Sequence, residues 1–460
     1  MRWWGWHSTW AMLSGPTARK SAAALVAQGL LSATNFVIGL ILARLCSKEE
    51  FGIYVLAYSV LLAANGLQAA LISRPMTVLS TAYRGGDWDA YMRSMAVAQL
   101  ILGVTLAITI AGLSVCLRAT GVISSDTEMV FLAMSVALFF VQAQEFSRRR
   151  LYAGMRAWRV LMNDTCYCLL QLGGIVLLWK LGGGAWGDSG AEPQAGYVSA
   201  KNAFACLAVA GGIGALLGLW PVGGLVAKPQ GMAGHARETW GYGRWRLLDF
   251  ASGTLCGQAQ TWLIGAMLGT ATLGGVESAR LVLAPLQIMT LGLPAVLLPR
   301  AAHLFAQDGH QRLRRFMARL APVWLILLGA YVATAIVAPG FFLHAFFGAK
   351  YADMGLLVIM WSGIYLFLGV AHLPNIALDA MRRPDMAVKA SLPANLLALG
   401  LTACAIPLAG AEGALAARLI GAVLALVAAC WLAARLLKGA PIGTLPVAQP
   451  CCGSVGRDPS

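Results

Sequence analysis

Charge is what this chain has least of. Of its 460 residues only 12% are Asp, Glu, Lys or Arg, and the 19 acidic side chains are outnumbered by 34 basic ones. A soluble domain of this length would cover itself with charge, and no polar stretch here is long enough to encode one. The G-x-x-x-x-G-K-[ST] loop is missing, which excludes ATP hydrolysis by that route. A disulfide framework is missing too. Cys116, Cys206, Cys256, Cys404 and Cys430 fall inside apolar runs, where a thiol behaves as a small apolar group. Cys166 and Cys168 sit two apart, Cys451 and Cys452 are adjacent, and no pair has zinc spacing. His303, His310 and His372 show no ligand spacing either, so neither a metal nor a cofactor is expected.

What fills the chain is apolar: 59% of residues are hydrophobic and the mean hydropathy is +0.71. A helix needs about 20 apolar residues to cross a hydrocarbon core roughly 30 Å thick. Twelve runs meet that length: 21–44, 51–74, 94–117, 128–147, 161–179, 198–220, 247–268, 276–300, 318–338, 353–378, 387–409 and 412–437. The pattern predicts an all-α integral membrane protein with almost nothing outside the bilayer.

Cytoplasmic connections of such proteins carry the excess Lys and Arg. Take the N-terminus and every second connection as one side. Only Arg44, Lys48, Arg118, Lys180, Lys201 and Lys350 fall on the other side, Arg280 and Arg418 lie within runs, and the rest of the 34 share the first. Both termini are therefore predicted to be cytoplasmic in a bacterial inner membrane. The asymmetry also accounts for the net charge of +15 without nucleic acid as a partner. The N-terminal MRWWGWHSTW reads as an interfacial anchor. No clear small-residue cleavage site follows it, so a secretory signal is not expected, and Met12 offers an alternative start.

The halves resemble each other. ARLCSKEEFGIYVLAYSVL (43–61) parallels AMLGTATLGGVESARLVL (266–283), pairing Gly52 with Gly275. LYAGMRAWR (151–159) parallels LDAMRRPDM (378–386), and GYVSAK (196–201) parallels GALAAR (413–418), all at nearly one offset. Internal repeats of this size mark transporters, and six spans per repeat make the repeat parallel, with its pseudo-two-fold axis along the membrane normal. The expected organisation is an interfacial segment 1–20, a six-helix lobe 21–220, a cytoplasmic linker 221–246, a second six-helix lobe 247–437, and a tail 438–460 expected to be disordered. Two such lobes form a V around a central cavity, and rocking between them gives alternating access. Asp87-Trp88-Asp89 has the form of a nucleotide-sugar motif, but no nucleotide-binding domain surrounds it, and helix-capping acids are the simpler reading.

Several segments carry a resemblance to a known family: NFVIGLILARLCSKEEFGIY, LGLPAVLLPRAAHLFA, FGAKYADMGLLVIMW, NIALDAMRRPDMAVKASLPANLL and AIPLAGAEGALAARLIG. In these the chain resembles the polysaccharide flippases of the multidrug/oligosaccharidyl-lipid/polysaccharide exporter superfamily. The resemblance implies a transporter, not an enzyme, that moves a glycan on undecaprenyl diphosphate from the cytoplasmic to the outer leaflet. The product would serve exopolysaccharide, O-antigen (lipopolysaccharide) or capsule synthesis. Its expected partners are the lipid-linked oligosaccharide and a polysaccharide polymerase with its co-polymerase. A cation-coupled multidrug-type antiporter and a lipid II flippase are alternatives within the superfamily. A membrane glycan polymerase is opposed by the short external connections.

Charges inside spans are costly and usually face a cavity. Arg280, Arg418, Lys201 and Arg44 all lie toward the outer half, and guanidinium forks suit phosphate oxygens. The segment SARLVLAPLQIMTLGLPAVLLP is similar to the eighth helix of lipid II flippases, which implies that Arg280 faces the cavity. The competing reading is local: Arg44 snorkels, Lys201 and Arg418 snorkel or pair with Glu412 and Glu277, and Arg280 pairs with Glu277 one turn away. Asn35, with other Asn and Gln side chains, offers uncharged contacts to sugars or to neighbouring helices. Glu277, Glu412 and Asp249 are the candidates for ion coupling, and Glu145 is expected to pair with Arg148 and Arg149.

Overall fold

The computed structural model describes residues 16–182, 197–219, 231–381 and 383–437. The N-terminal anchor, the Gly-rich connection after Gly182, residues 221–230 of the linker and the tail lie outside the described residues. The first half contains α1 (Pro16–Leu45), α2 (Lys48–Gln68), α3 (Arg74–Leu79), α4 (Gly85–Ala119), α5 (Ser125–Ala153), α6 (Ala157–Leu181) and α7 (Ala200–Leu219). The second contains α8 (Met232–Phe250), α9 (Cys256–Leu268), α10 (Thr270–Leu281), α11 (Ala284–Val337), α12 (Pro339–Phe347), α13 (Gly355–Ala380) and α14 (Pro384–Leu437). No strand occurs among the described residues.

Local chemistry sets the helix ends. The Ser47 side chain accepts the Glu50 N–H at 3.1 Å, and Glu49 and Glu50 sit in the first turn of α2, where the helix dipole favours anions. Ser124 caps α5 in the same way, accepting from the Thr127 N–H at 3.2 Å.

Nine helical stretches among the described residues are long and apolar enough to cross a membrane. One of them, Asp385–Leu437, does so twice, because the chain turns at Gly410 (φ 56°) in the left-handed region open to glycine. Gly309 (φ 67°) plays the same part inside α11, separating the eighth crossing from the ninth. The predicted span 276–300 is interrupted, and 51–74 and 247–268 each pass through a π-helical turn. A π-helical turn, Ala251–Leu255, joins α8 to α9. Between α10 and α11 the chain leaves the helix at Val282–Leu283, where Pro285 removes a backbone donor. The Tyr331 hydroxyl donates to the Val282 carbonyl at 2.7 Å, satisfying an acceptor next to that break. The molecule is thus a twelve-helix, two-lobe, multi-pass membrane protein.

The lobes meet unevenly. One apolar cluster draws on both, from Ile38, Leu42, Phe51 and Ala57 on one side to Leu273, Val276, Leu283 and Trp361 on the other. On the face with the basic connections, the inner face by the charge rule, the core divides. Met76, Tyr91, Met95 and Phe146 form a cluster within the first half, and Ala301, Leu313, Leu378 and Leu436 form one within the second. Helix α8 leans on the first half there: Arg74 pairs with Asp249, Tyr83 donates to Glu238, and Ser94 lies 3.0 Å from His235.

At the opposite face α2 and α10 cross in near contact, and the contact is reciprocal. A Cβ on Gly52 would overlap the Thr270 carbonyl, and a Cβ on Gly274 would overlap the Lys48 carbonyl. Each glycine therefore rests on the backbone one turn before the other. This relates Gly52 to Gly274, one residue from the Gly275 pairing read off the sequence. Lys350 closes the same end, donating to the carbonyls of Ala43 (2.8 Å) and Cys46 at the C-terminus of α1. Lys48 pairs with Asp353 at 3.3 Å.

Candidate functional site

Beside the shared core, polar side chains gather at the break between α10 and α11. Arg280 occupies the last turn of α10. Its Nε donates to the Glu277 carboxylate one helical turn back, and the second nitrogen arm lies 3.5 Å from both the Gln287 Oε1 and the Tyr365 hydroxyl. The Tyr365 hydroxyl donates to Gln287 at 3.3 Å. Glu277 is buried, but the Arg280 side chain keeps 31% of its surface exposed. The local pair with Glu277 and a partly exposed Arg280 side chain therefore coexist.

Arg418, on the second crossing of α14, joins the group. Its guanidinium lies 5.0 Å from the centre of the Trp361 ring, a cation–π contact, and it is close enough to Tyr365, Glu277 and Arg280 to interact with their charges. Trp361 is held in place by donating to the Val276 carbonyl at 3.0 Å. Among the described residues no carboxylate forms an ion pair with Arg418, so two guanidiniums share one carboxylate and the group carries a surplus positive charge. From the other lobe, Tyr58 on α2 lies within range of the Arg280 charge, and Leu281 fills the space over Gly39 of α1.

Three of the residues singled out in the sequence are brought together: Arg280, Glu277 and Arg418. The others are placed elsewhere. Lys201 is exposed in the first turn of α7, so the repeat-related cations Lys201 and Arg418 have different surroundings. Glu412 is exposed at the turn in α14, and Asn35 is exposed on α1. Arg44 is half-buried at the end of α1, where its carbonyl lies 3.5 Å from Lys350. Asp249 pairs with Arg74 near the inner face. Several polar residues hold helices together: Gln68 donates to Gln99 and to the Gln142 carbonyl, both at 2.9 Å, and Asn395 donates to the Ser252 carbonyl at 2.8 Å.

Sequence reading missed two features. Tyr365 and Trp361 are spaced i, i+4 on α13, a helical-face signal, but nothing in the sequence names their arginine partners. The second feature is a buried ion network in the first lobe. Arg148 lies 3.2 Å from Asp164, donates to Glu145 at 2.7 Å and reaches Gln28 at 2.9 Å. Asp164 is 0% exposed, and Gln144 donates to it at 3.3 Å. The pairing of Glu145 with Arg148 and Arg149 matches the helical spacing.

Comparison with known proteins places this geometry. A family profile described as "Polysaccharide biosynthesis protein" matches residues 202–355, the stretch that contains Arg280 and Glu277. No curated protein matches the chain. Among solved structures, the chain is similar to an inward-facing multidrug resistance MATE family transporter of the MOP superfamily. The TM-score is 0.68 at 12% identity, covering 88% of this chain and 94% of that one. An outward-facing MATE transporter of that superfamily gives 0.62 at 12% identity, covering 92% and 95%. The eukaryotic MATE transporter AtDTX14 gives 0.64 at 14% identity, covering 92% and 98%. The resemblance read from the sequence is borne out: the chain has the two-lobe, twelve-helix fold of the MOP-superfamily transporters, and its middle third matches the polysaccharide biosynthesis family.

Proposed function

We propose that this transporter carries a lipid-linked oligosaccharide, a glycan on undecaprenyl diphosphate, from the inner to the outer leaflet for exopolysaccharide, O-antigen or capsule synthesis. The observation that carries the reading is the surplus positive charge of Arg280 and Arg418 over Glu277 where the two lobes converge. A diphosphate is the anion best matched to a pair of guanidinium forks held by neighbouring helices. The match of residues 202–355 to a polysaccharide biosynthesis family supports a glycan on that anion. The core, shared toward the outer face and divided toward the inner one, corresponds to a cleft that opens to the leaflet where such a substrate is made. Alternating access then needs the Gly52–Gly274 crossing and the Lys350 contacts to separate while the inner faces close. Lys201, Arg44 and Asn35 would extend contacts along the outward path; of the carboxylates considered for ion coupling, Glu277 and Asp249 are held by Arg280 and Arg74, and Glu412 is exposed.

A cation-coupled multidrug-type antiporter is the second reading, favoured by the buried carboxylate of Asp164. Arg148 already neutralises that carboxylate, which leaves it a poor receptor for a cationic drug.

The test is Arg280→Ala in cells that depend on the glycan. Export is expected to fall to background while the protein stays inserted and abundant, and Arg280→Lys should restore only part of it, because a point charge replaces a bidentate fork. Normal export by the alanine variant at normal abundance sinks the assignment. Loss of the protein itself would assign Arg280 a structural role with Glu277.

A further inference from the structure

Beyond the cleft, the first lobe holds a second basic cavity. It has a volume of about 610 Å³ and lies at the inner face, where the connection before α4 meets the connection between α5 and α6. Arg84, Arg150 and Arg156 line it, with Trp88 and Asp89. Arg150 is the built part of the site. It is 8% exposed, its guanidinium lies 5.5 Å from the Trp88 ring centre, and its buried Nε has no hydrogen-bond partner. Leaving such a donor dry and unpaired is costly, so a cavity beside it calls for an acceptor.

Backbone groups point to the same chemistry. Helix α4 is 35 residues long, and its first residue, Gly85, lines the cavity in a left-handed conformation (φ 55°). No side chain caps this helix, and the space around Gly85 and Gly86 is open. An uncapped N-terminus of a long helix presents free N–H groups and the positive end of the dipole to an anion. Three arginines outweigh the single Asp89 carboxylate, which is close enough to Arg150 to interact with its charge.

We propose that this cavity binds the phosphate group of an anionic lipid at the inner membrane face, as a site separate from the central cleft. The surroundings favour a lipid over a soluble phosphate. Met155, Trp158 and Met162, beside the cavity in sequence, are 70%, 59% and 70% exposed, and in a bilayer such apolar side chains take places among acyl chains. A basic pocket between helices with apolar neighbours at headgroup depth suits an acidic phosphodiester. The Asp-Trp-Asp element thereby acquires a use: Asp87 supplies an acid in the first turn of α4, Trp88 braces Arg150, and Asp89 tempers the charge.

The test uses the full chain in nanodiscs of phosphatidylcholine doped with phosphatidylglycerol, with the lipids retained after extraction counted by native mass spectrometry. Wild type should retain phosphatidylglycerol selectively. R84S/R156S removes two exposed arginines and leaves buried Arg150 in place, so the fold should melt as wild type does in phosphatidylcholine alone. Its preference should fall roughly thirtyfold, two surface arginines' worth. D89N should raise the preference. Equal retention by wild type and R84S/R156S would overturn the proposal. Stabilisation by sodium pyrophosphate without selective phosphatidylglycerol retention would overturn the lipid assignment and give the site to soluble phosphate.

Discussion

At the scale of single residues, two arginine groups in this protein are built differently. Arg148 is flanked by the Glu145 and Asp164 carboxylates and donates to Glu145 and Gln28, and its side chain is 9% exposed. Arg280 and Arg418 share one carboxylate, and Arg280 keeps a third of its surface open. The first arrangement suits a structural clamp and the second a binding group. Removing one member of the clamp should therefore be worse than removing the pair. Arg148→Met alone leaves buried Asp164 uncompensated and should cost about 3–5 kcal/mol, whereas Arg148→Met with Asp164→Leu should recover most of that loss. Thermal melting in detergent measures both. A double variant no more stable than the single one would show that the network does more than balance charge. Arg280 was legible from the sequence because a cation inside an apolar run stands out. Asp164 was not, because its position near a span end fits an interfacial acid equally well. Only the packing of α5 against α6 and α1 makes it buried.

Elements were legible to the degree that hydropathy defines them. Ten of the twelve runs lie in helices long and apolar enough to cross, because each carries enough apolar surface to hold a helix in the bilayer whatever it packs against. The other two spans, through α8–α9 and α10–α11, share the contacts between lobes with Lys350 and Asp353, and the break at Val282 answers to a partner distant in sequence, Tyr331. The repeat was legible to within one residue at Gly52, since sequence similarity cannot show which of two adjacent glycines meets the opposite helix. That crossing gives a prediction at this scale. Gly52→Val forces a side chain against the Thr270 carbonyl, a backbone group that cannot swing aside. Overpacking costs about 1–3 kcal/mol, and here it can be relieved by parting α2 from α10, which opens the outer end. Spin labels at exposed Glu49 and Ala349 should report one short distance in wild type and a longer population in Gly52→Val. An unchanged distribution at unchanged stability would show that the crossing does not act as a gate. Gly274→Val should behave alike, because the contact is reciprocal.

For the whole molecule, orientation decides which leaflet the cleft addresses, and it rests on where the basic residues fall. The inner-face contacts agree in kind: Arg74, Arg84, Arg150 and Arg156 cluster on the connections around α3–α4 and α5–α6, and the face closed by Lys350 and Lys48 has few cations to spare. On this assignment the divided core opens toward the cytoplasm and the Gly52–Gly274 crossing seals the outside. Reporter fusions settle the matter. Fusions at Gly85 and Gly309, both with positive φ, should show cytoplasmic activity, and a fusion at Gly348 should show activity outside. If all three reverse, the same structure opens to the outer leaflet, and the direction of glycan transport proposed for Arg280 and Arg418 must reverse with it. If only Gly309 reverses, α11 fails to turn where the structure bends it, and the two lobes no longer present the same number of crossings.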